Sequence, residues 1–262
     1  MANQNIKASL YRSLLFLILI SGITIRIIVY LSNRSAWFDE AALALSIIHQ
    51  PFHYLLTHPS DYTVPVGFLL MTKCLIVFLG KNEFILRIIP LASGIASLFL
   101  IYKLSSKYLP RTLALLPLFL MAVSVTMLRY TTECKQYSTD VLICLLIPLC
   151  VISFLHKKHT PKQRFILGLT GALAPYFSLP SIFMLGGAGA ALLLIFIEEK
   201  NWKEVYYLLI TFSFWGFAFF LNYSLFLTKI ADSASLQNYW SNGFMPLPHG
   251  PSGNNPSSPP LS

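Results

Sequence analysis

Two short stretches carry residue types that could do chemistry. The first is Asp39-Glu40, preceded by Trp37-Phe38. The second is Arg129-Tyr-Thr-Thr-Glu-Cys-Lys-Gln-Tyr-Ser-Thr-Asp140, the densest polar patch in the middle of the chain. It holds two cations (Arg129, Lys135), two carboxylates (Glu133, Asp140) and two tyrosines (Tyr130, Tyr137). Such cations hold phosphate through charge-assisted hydrogen bonds. A neighbouring carboxylate can take the proton from an incoming hydroxyl or amine. A departing lipid phosphate is a weak base, so cations alone suffice to stabilise its charge. Together these types suit transfer chemistry on a lipid phosphate. Each residue also has a plainer reading. Asp39 could simply begin a helix, since acids favour N-terminal turns. Arg129 and Lys135 could anchor helices at an interface, and Glu133 could pair with one of them. The tyrosines could belong to an aromatic belt.

The elements that must position these stretches are membrane helices. Of the 262 residues, 55% are hydrophobic and 11% charged, whereas soluble domains are about a quarter charged. Several apolar runs approach the ~20 residues that span hydrocarbon. The expected fold class is an all-α polytopic membrane protein. The net charge of +9 follows from Lys and Arg in cytoplasmic loops, so nucleic acid is not expected as a partner. The run 13–31 is read as the first span, since it is long and no small-x-small cleavage site follows it. Arg26 near its outer end can reach the interface with its long stem. The apolar segment 63–80 holds Pro65, Gly67 and Lys73 and could either span or lie in the interface.

Charge bias decides between these. With 63–80 as a juxtamembrane helix, the later spans are 84–104, 112–128, 138–155, 165–178, 181–197 and 204–227. The cytoplasmic loops then hold Lys103, Lys107, Arg111, Lys157, Lys158, Lys162, Arg164, Lys200 and Lys203. With Lys7 and Arg12 that is eleven of nineteen cations. If 63–80 spanned, the cluster 157–164 would lie outside, against the positive-inside bias. The expectation is therefore about seven spans in a transmembrane domain over 1–228, with juxtamembrane helices within 36–80. The N-terminus is cytoplasmic. A periplasmic interface segment and a Pro/Ser/Gly tail follow over 229–262. On this topology Asp39, Glu40, Glu133 and Asp140 share the outer side with Arg87, Arg129 and Lys135.

Other features carry less. Cys74, Cys134, Cys144 and Cys150 lack metal-ligand spacing. His49, His53 and His58 lie in a segment broken by Pro51 and Pro59, and read first as surface histidines. No cofactor is assigned, and a divalent metal is left open. Gly186-Gly187-x-Gly189 lacks the strand context of a nucleotide loop and is expected to let helices approach closely.

The order of motifs resembles a known family. Trp37-Phe-Asp-Glu-Ala is followed by His58-Pro-Ser-Asp-Tyr-Thr-Val-Pro65 and an apolar helix ending Phe78-Leu-Gly80. Asn82-Glu-Phe-Ile-Leu-Arg87-Ile-Ile-Pro90 comes next, then Arg129-Tyr-x-x-Glu-Cys-Lys-Gln-Tyr-Ser-x-Asp140. Over residues 10–245 the chain resembles bacterial GT-C glycosyltransferases related to dolichyl-phosphate-mannose–protein mannosyltransferases and the aminoarabinose transferase of lipid A. The resemblance implies a GT-C helix bundle with juxtamembrane helices in the first outer loop. It implies sugar transfer, with inversion, from a polyprenyl-phosphate donor to a lipid, glycan or protein acceptor outside the plasma membrane. Asp39 would be the base and Glu40 its acidic neighbour, with Glu133 the second-loop acid. Arg87, Arg129, Lys135, Tyr137, Asp140 and His58 would bind substrate. Family members are much longer, which implies a C-terminally truncated member or an inactive fragment. A transporter or lipid flippase is the alternative class, and would call for ionisable residues at mid-membrane depth and internal repeats.

Overall fold

The computed structural model describes residues 2–58, 64–155 and 160–228. The expected interface segment and tail over 229–262 lie outside the described residues, as do Pro59, Asp61, Lys157 and Lys158. Twelve α-helices follow in chain order: α1 (Ala2–Leu31), α2 (Phe38–His49), α3 (Phe52–Thr57), α4 (Val66–Leu79), α5 (Glu83–Leu86), α6 (Ile88–Tyr108), α7 (Arg111–Val123), α8 (Val125–Tyr130), α9 (Tyr137–Leu155), α10 (Pro161–Phe177), α11 (Ser181–Glu198) and α12 (Trp202–Asn222). A π-helical turn over Tyr223–Leu227 extends α12. Among the described residues there is no strand. The chain is a multi-pass all-α membrane protein.

Among the described residues, five helices are long and apolar enough to cross a bilayer: Ala8–Leu31 of α1, α6, α9, α11 and Trp202–Leu227. The predicted spans over 112–128 and 165–178 are shorter or interrupted. α7 stops at Val123, and Ser124 opens α8 by accepting from the Met127 amide at 3.4 Å. α10 has 17 residues. The 14 residues of α4 reach about 21 Å, short of a hydrocarbon core about 30 Å thick. That length suits the juxtamembrane reading of 63–80.

Three apolar clusters hold the bundle. One joins α9, α10, α11 and α12 through Phe154, Phe196, Leu208 and Trp215. A second joins α2, α4 and the start of α6 through Ile47, Phe68, Leu69 and Ile89. The third joins α1, α6 and α7 through Leu98 and Leu118. Between membrane helices close packing replaces the hydrophobic driving force, so small residues decide how near the backbones come. A Cβ on Gly171 would lie 2.1 Å from the Trp215 ring, and one on Gly94 would lie 1.8 Å from Thr131. In the glycine cluster of α11 only Gly189 meets another helix, at Phe212; Gly186 and Gly187 face open space.

Arg26 departs from the expectation that it reaches the interface. It is fully buried. Its guanidinium donates to the carbonyls of Gly22 (3.0 Å), Met121 (3.0 Å) and Ala122 (3.3 Å). Met121 and Ala122 lie in the last turn of α7, whose carbonyls have no partner further along the helix. A cation at that negative helix end satisfies them. Arg26 thus fastens α1 to the α7–α8 break that leads into the second polar stretch.

Candidate active site

The first polar stretch sits on α2. Asp39 and Glu40 occupy its first turn, where acids suit the positive helix end. Glu40, Leu43 and Ile47 form the buried stripe, while Asp39 is exposed. The far end of α2 is pinned by Lys73 of α4, whose ammonium donates to the carbonyls of Ile47 (2.7 Å) and Ile48 (3.2 Å). Burial pulls that ammonium below the ordinary lysine range. The carbonyls are polar groups that would otherwise be buried unpaired.

Arg87 comes from the junction of α5 and α6. Asn82 caps α5 by accepting from the Phe84 amide at 2.9 Å. Tyr30 of α1 packs edge-on against Phe84 and donates to its carbonyl at 2.7 Å. These contacts aim Arg87 inward. It donates to Glu40 Oε1 at 2.8 Å and to Asn33 Oδ1 at 3.0 Å. Asn33 has φ +41°, a left-handed conformation that Asn tolerates better than most residues.

The second polar stretch joins the first. Thr131, Thr132, Glu133 and Cys134 are all about 1% exposed, so this connector is an interior segment. Glu40 Oε1 accepts from the Cys134 amide at 2.9 Å, across 94 residues of chain. Glu133 Oε1 accepts from Arg129 at 2.6 Å and from Arg34 at 2.7 Å. Arg34 also stands 3.7 Å from Glu40 Oε2. Burial, reinforced by the Glu40 charge, pushes the Cys134 thiol up to about 12, so it stays protonated.

Glu40 and Glu133 are thus enclosed by guanidinium groups and backbone. Asp39 has neither hydrogen bond nor ion pair among the described residues. The cations divide in the same way. Arg87 is committed to Glu40 and Asn33. Lys135 is 9% exposed and has no carboxylate partner among the described residues; its ammonium lies 5.9 Å from the centre of the Trp37 ring. The Arg129 guanidinium lies at the same distance from that ring. The Tyr137 ring packs against that of Tyr130, tilted by 39° with centroids 4.6 Å apart.

One predicted site residue stands apart, and another is half-buried one turn below Tyr137. His58 ends α3, stacked on Tyr54 at 4.1 Å and bonded to Thr57, with no contact to the acidic cluster among the described residues. Asp140 lies one turn into α9, and its Oδ1 is buried without a hydrogen-bond partner. Among the described residues no three His, Cys, Asp or Glu side chains converge on a metal-sized site. Arg34 is the member of this cluster that sequence reasoning missed. A cation just beyond a span reads equally well as an ordinary interface anchor.

A cleft of about 200 Å³ opens beside the cluster, between α2 and α5, with Glu40, Arg87 and Glu83 among its lining residues.

Residues 57–223, more than half of the chain, match the dolichyl-phosphate-mannose-protein mannosyltransferase family. The match includes Arg87, Arg129, Glu133 and Lys135 and begins after Trp37–Glu40. No curated protein and no solved structure matches the chain. On the family match, with its bundle of apolar helices, the chain belongs to the dolichyl-phosphate-mannose-protein mannosyltransferase family and is a membrane glycosyltransferase of the GT-C type.

Proposed function

We propose that the chain moves a sugar from a polyprenyl-phosphate donor to an acceptor at the outer face of the plasma membrane, with Asp39 as the general base. The acceptor oxygen or nitrogen attacks the anomeric carbon and its proton passes to Asp39. The bond from that carbon to the phosphate oxygen breaks, and its electron pair leaves on the phosphate. Attack opposite the leaving group inverts the anomeric centre. Arg129 and Lys135 hold the donor phosphate, with Trp37 between them as a flat surface for the sugar. Tyr137, beside Lys135, lines the same approach. Glu40 and Glu133 hold Arg34, Arg87 and Arg129 in place.

The observation that carries this reading is the division among the carboxylates. Glu40 and Glu133 are already engaged by guanidinium groups. Among the described residues, Asp39 is exposed and unpaired beside them, and the buried Lys135 ammonium has no carboxylate partner. Positive-inside bias supports the outer placement and a cytoplasmic N-terminus.

Replacing Asp39 with Asn tests the assignment in membranes supplied with a polyprenyl-phosphate sugar. Transfer should fall by about 100-fold or more, the contribution of a positioned general base, while insertion and melting temperature stay put. Transfer at the parental rate would overturn the role of Asp39.

A further inference from the structure

A second cleft, of about 180 Å³, opens between α6, α9 and α10. Helices rise about 1.5 Å per residue, so Lys103 stands on the order of 24 Å from Arg87 along α6. That is most of a hydrocarbon core about 30 Å thick. Ser153, near the end of α9, and Gln163, in the first turn of α10, line the cleft with Lys103. The cleft therefore lies toward the opposite surface of the bundle from the acidic cluster. Leu100, Leu146 and Ile166 give it an apolar wall, and no carboxylate lines it.

Its nitrogen and oxygen groups are unengaged donors. Lys103 is exposed and has no ion pair among the described residues. Gln163 Oε1 accepts from the Thr160 amide at 3.0 Å and closes the cap of α10. That leaves the Gln163 amide nitrogen free to donate. The Ser153 hydroxyl has no partner among the described residues. One cation with two neutral donors matches a singly charged phosphodiester. A phosphate monoester, with about −1.5 to −2 charges near neutral pH, would be undercompensated. Inorganic phosphate would leave the apolar wall uncovered, whereas an acyl chain covers it.

We propose that this cleft binds one anionic phospholipid from the surrounding leaflet. Its phosphodiester meets Lys103, Ser153 and Gln163, and an acyl chain runs along Leu100, Leu146 and Ile166. A lysine at the edge of the hydrocarbon suits this role, since its stem crosses apolar surface while its ammonium stays at headgroup level. Basic pockets between membrane helices hold anionic headgroups in this way. The site stands independently of the sugar-transfer reading.

Thermal unfolding of the full chain, purified in a neutral detergent and freed of lipid, tests it. Phosphatidylglycerol should raise the melting temperature in a saturable way, phosphatidylcholine should bind more weakly, and inorganic phosphate should have no effect. Lys103→Gln should weaken phosphatidylglycerol binding by about fivefold, the contribution of one lysine at an anionic lipid, and leave phosphatidylcholine unchanged. Gln163→Glu keeps the cap on Thr160 and should weaken phosphatidylglycerol likewise. Leu100→Trp fills the apolar side and should weaken both lipids; if it fails to fold, Lys103→Gln, on an exposed residue, carries the test. Lys107→Gln, one turn further on and outside the lining, should leave binding at the parental level. Equal affinity for the two phospholipids, a shift with inorganic phosphate, or an equal loss from Lys107→Gln overturns the site. A Lys103-dependent shift larger with polyprenyl phosphate than with phosphatidylglycerol overturns the choice of a phospholipid.

Discussion

At the scale of single residues, the site turns on which charges are already matched. A carboxylate buried against guanidinium groups is already engaged and holds a conformation; an exposed, unpaired one beside it is free to meet a substrate. That contrast separates Glu40 and Glu133 from Asp39, although sequence alone presents Asp39-Glu40 as an undivided pair. The same contrast separates the arginines. Removing a partner from a buried ion pair leaves an uncompensated charge, so Arg87→Met should destabilise the chain by about 3–5 kcal/mol, measured by thermal unfolding in detergent. Arg129 is 56% exposed and Glu133 keeps Arg34 when it is removed, so Arg129→Ala should lower the melting temperature less than Arg87→Met does while weakening donor binding. An unfolding transition equally sensitive to both substitutions would contradict this division. Lys135→Met should act as Arg129→Ala does on donor binding, because its ammonium stands against the Trp37 ring with no carboxylate partner among the described residues.

At the scale of elements, the polar stretches are set by contacts that sequence patterns do not advertise. The apolar runs marked most helices to within a few residues, since length and hydropathy are local properties. The break between α7 and α8 was not legible. It depends on Ser124 as a cap and on Arg26 reaching from another helix. Arg26 read as an interface residue because its position in the run fits either outcome. Lys73 likewise looks out of place in an apolar segment until the carbonyls at the end of α2 are seen against it. If Lys73 fixes α2, Lys73→Met should lower both the melting temperature and transfer, with a larger effect on kcat than on KM for the donor. Gly94 makes the matching prediction for α6. Its missing Cβ is where Thr131 sits, so Gly94→Ala should push the second polar stretch away and reduce transfer. Full activity with Gly94→Ala would show that the stretch is not held there.

At the scale of the whole molecule, fold class and family were legible because both are written in composition and in the order of a few motifs. The convergence of two stretches separated by 94 residues was an expectation that geometry had to supply, and Arg34, which joins them, was invisible to pattern. Topology follows from charge bias. At the start of α12, Arg164 pairs with Glu204 and stacks over Tyr207 at 4.2 Å, tying α10 to α12. A charge exchange between Arg34 and Glu133 probes the convergence most directly. Arg34→Glu and Glu133→Arg should each destabilise the chain and abolish transfer. Together they should recover part of the stability, with a coupling of about 0.5–3 kcal/mol, as for residues in contact. Strictly additive losses in the double variant would mean that the two polar stretches do not meet, and the shared site would fall with them.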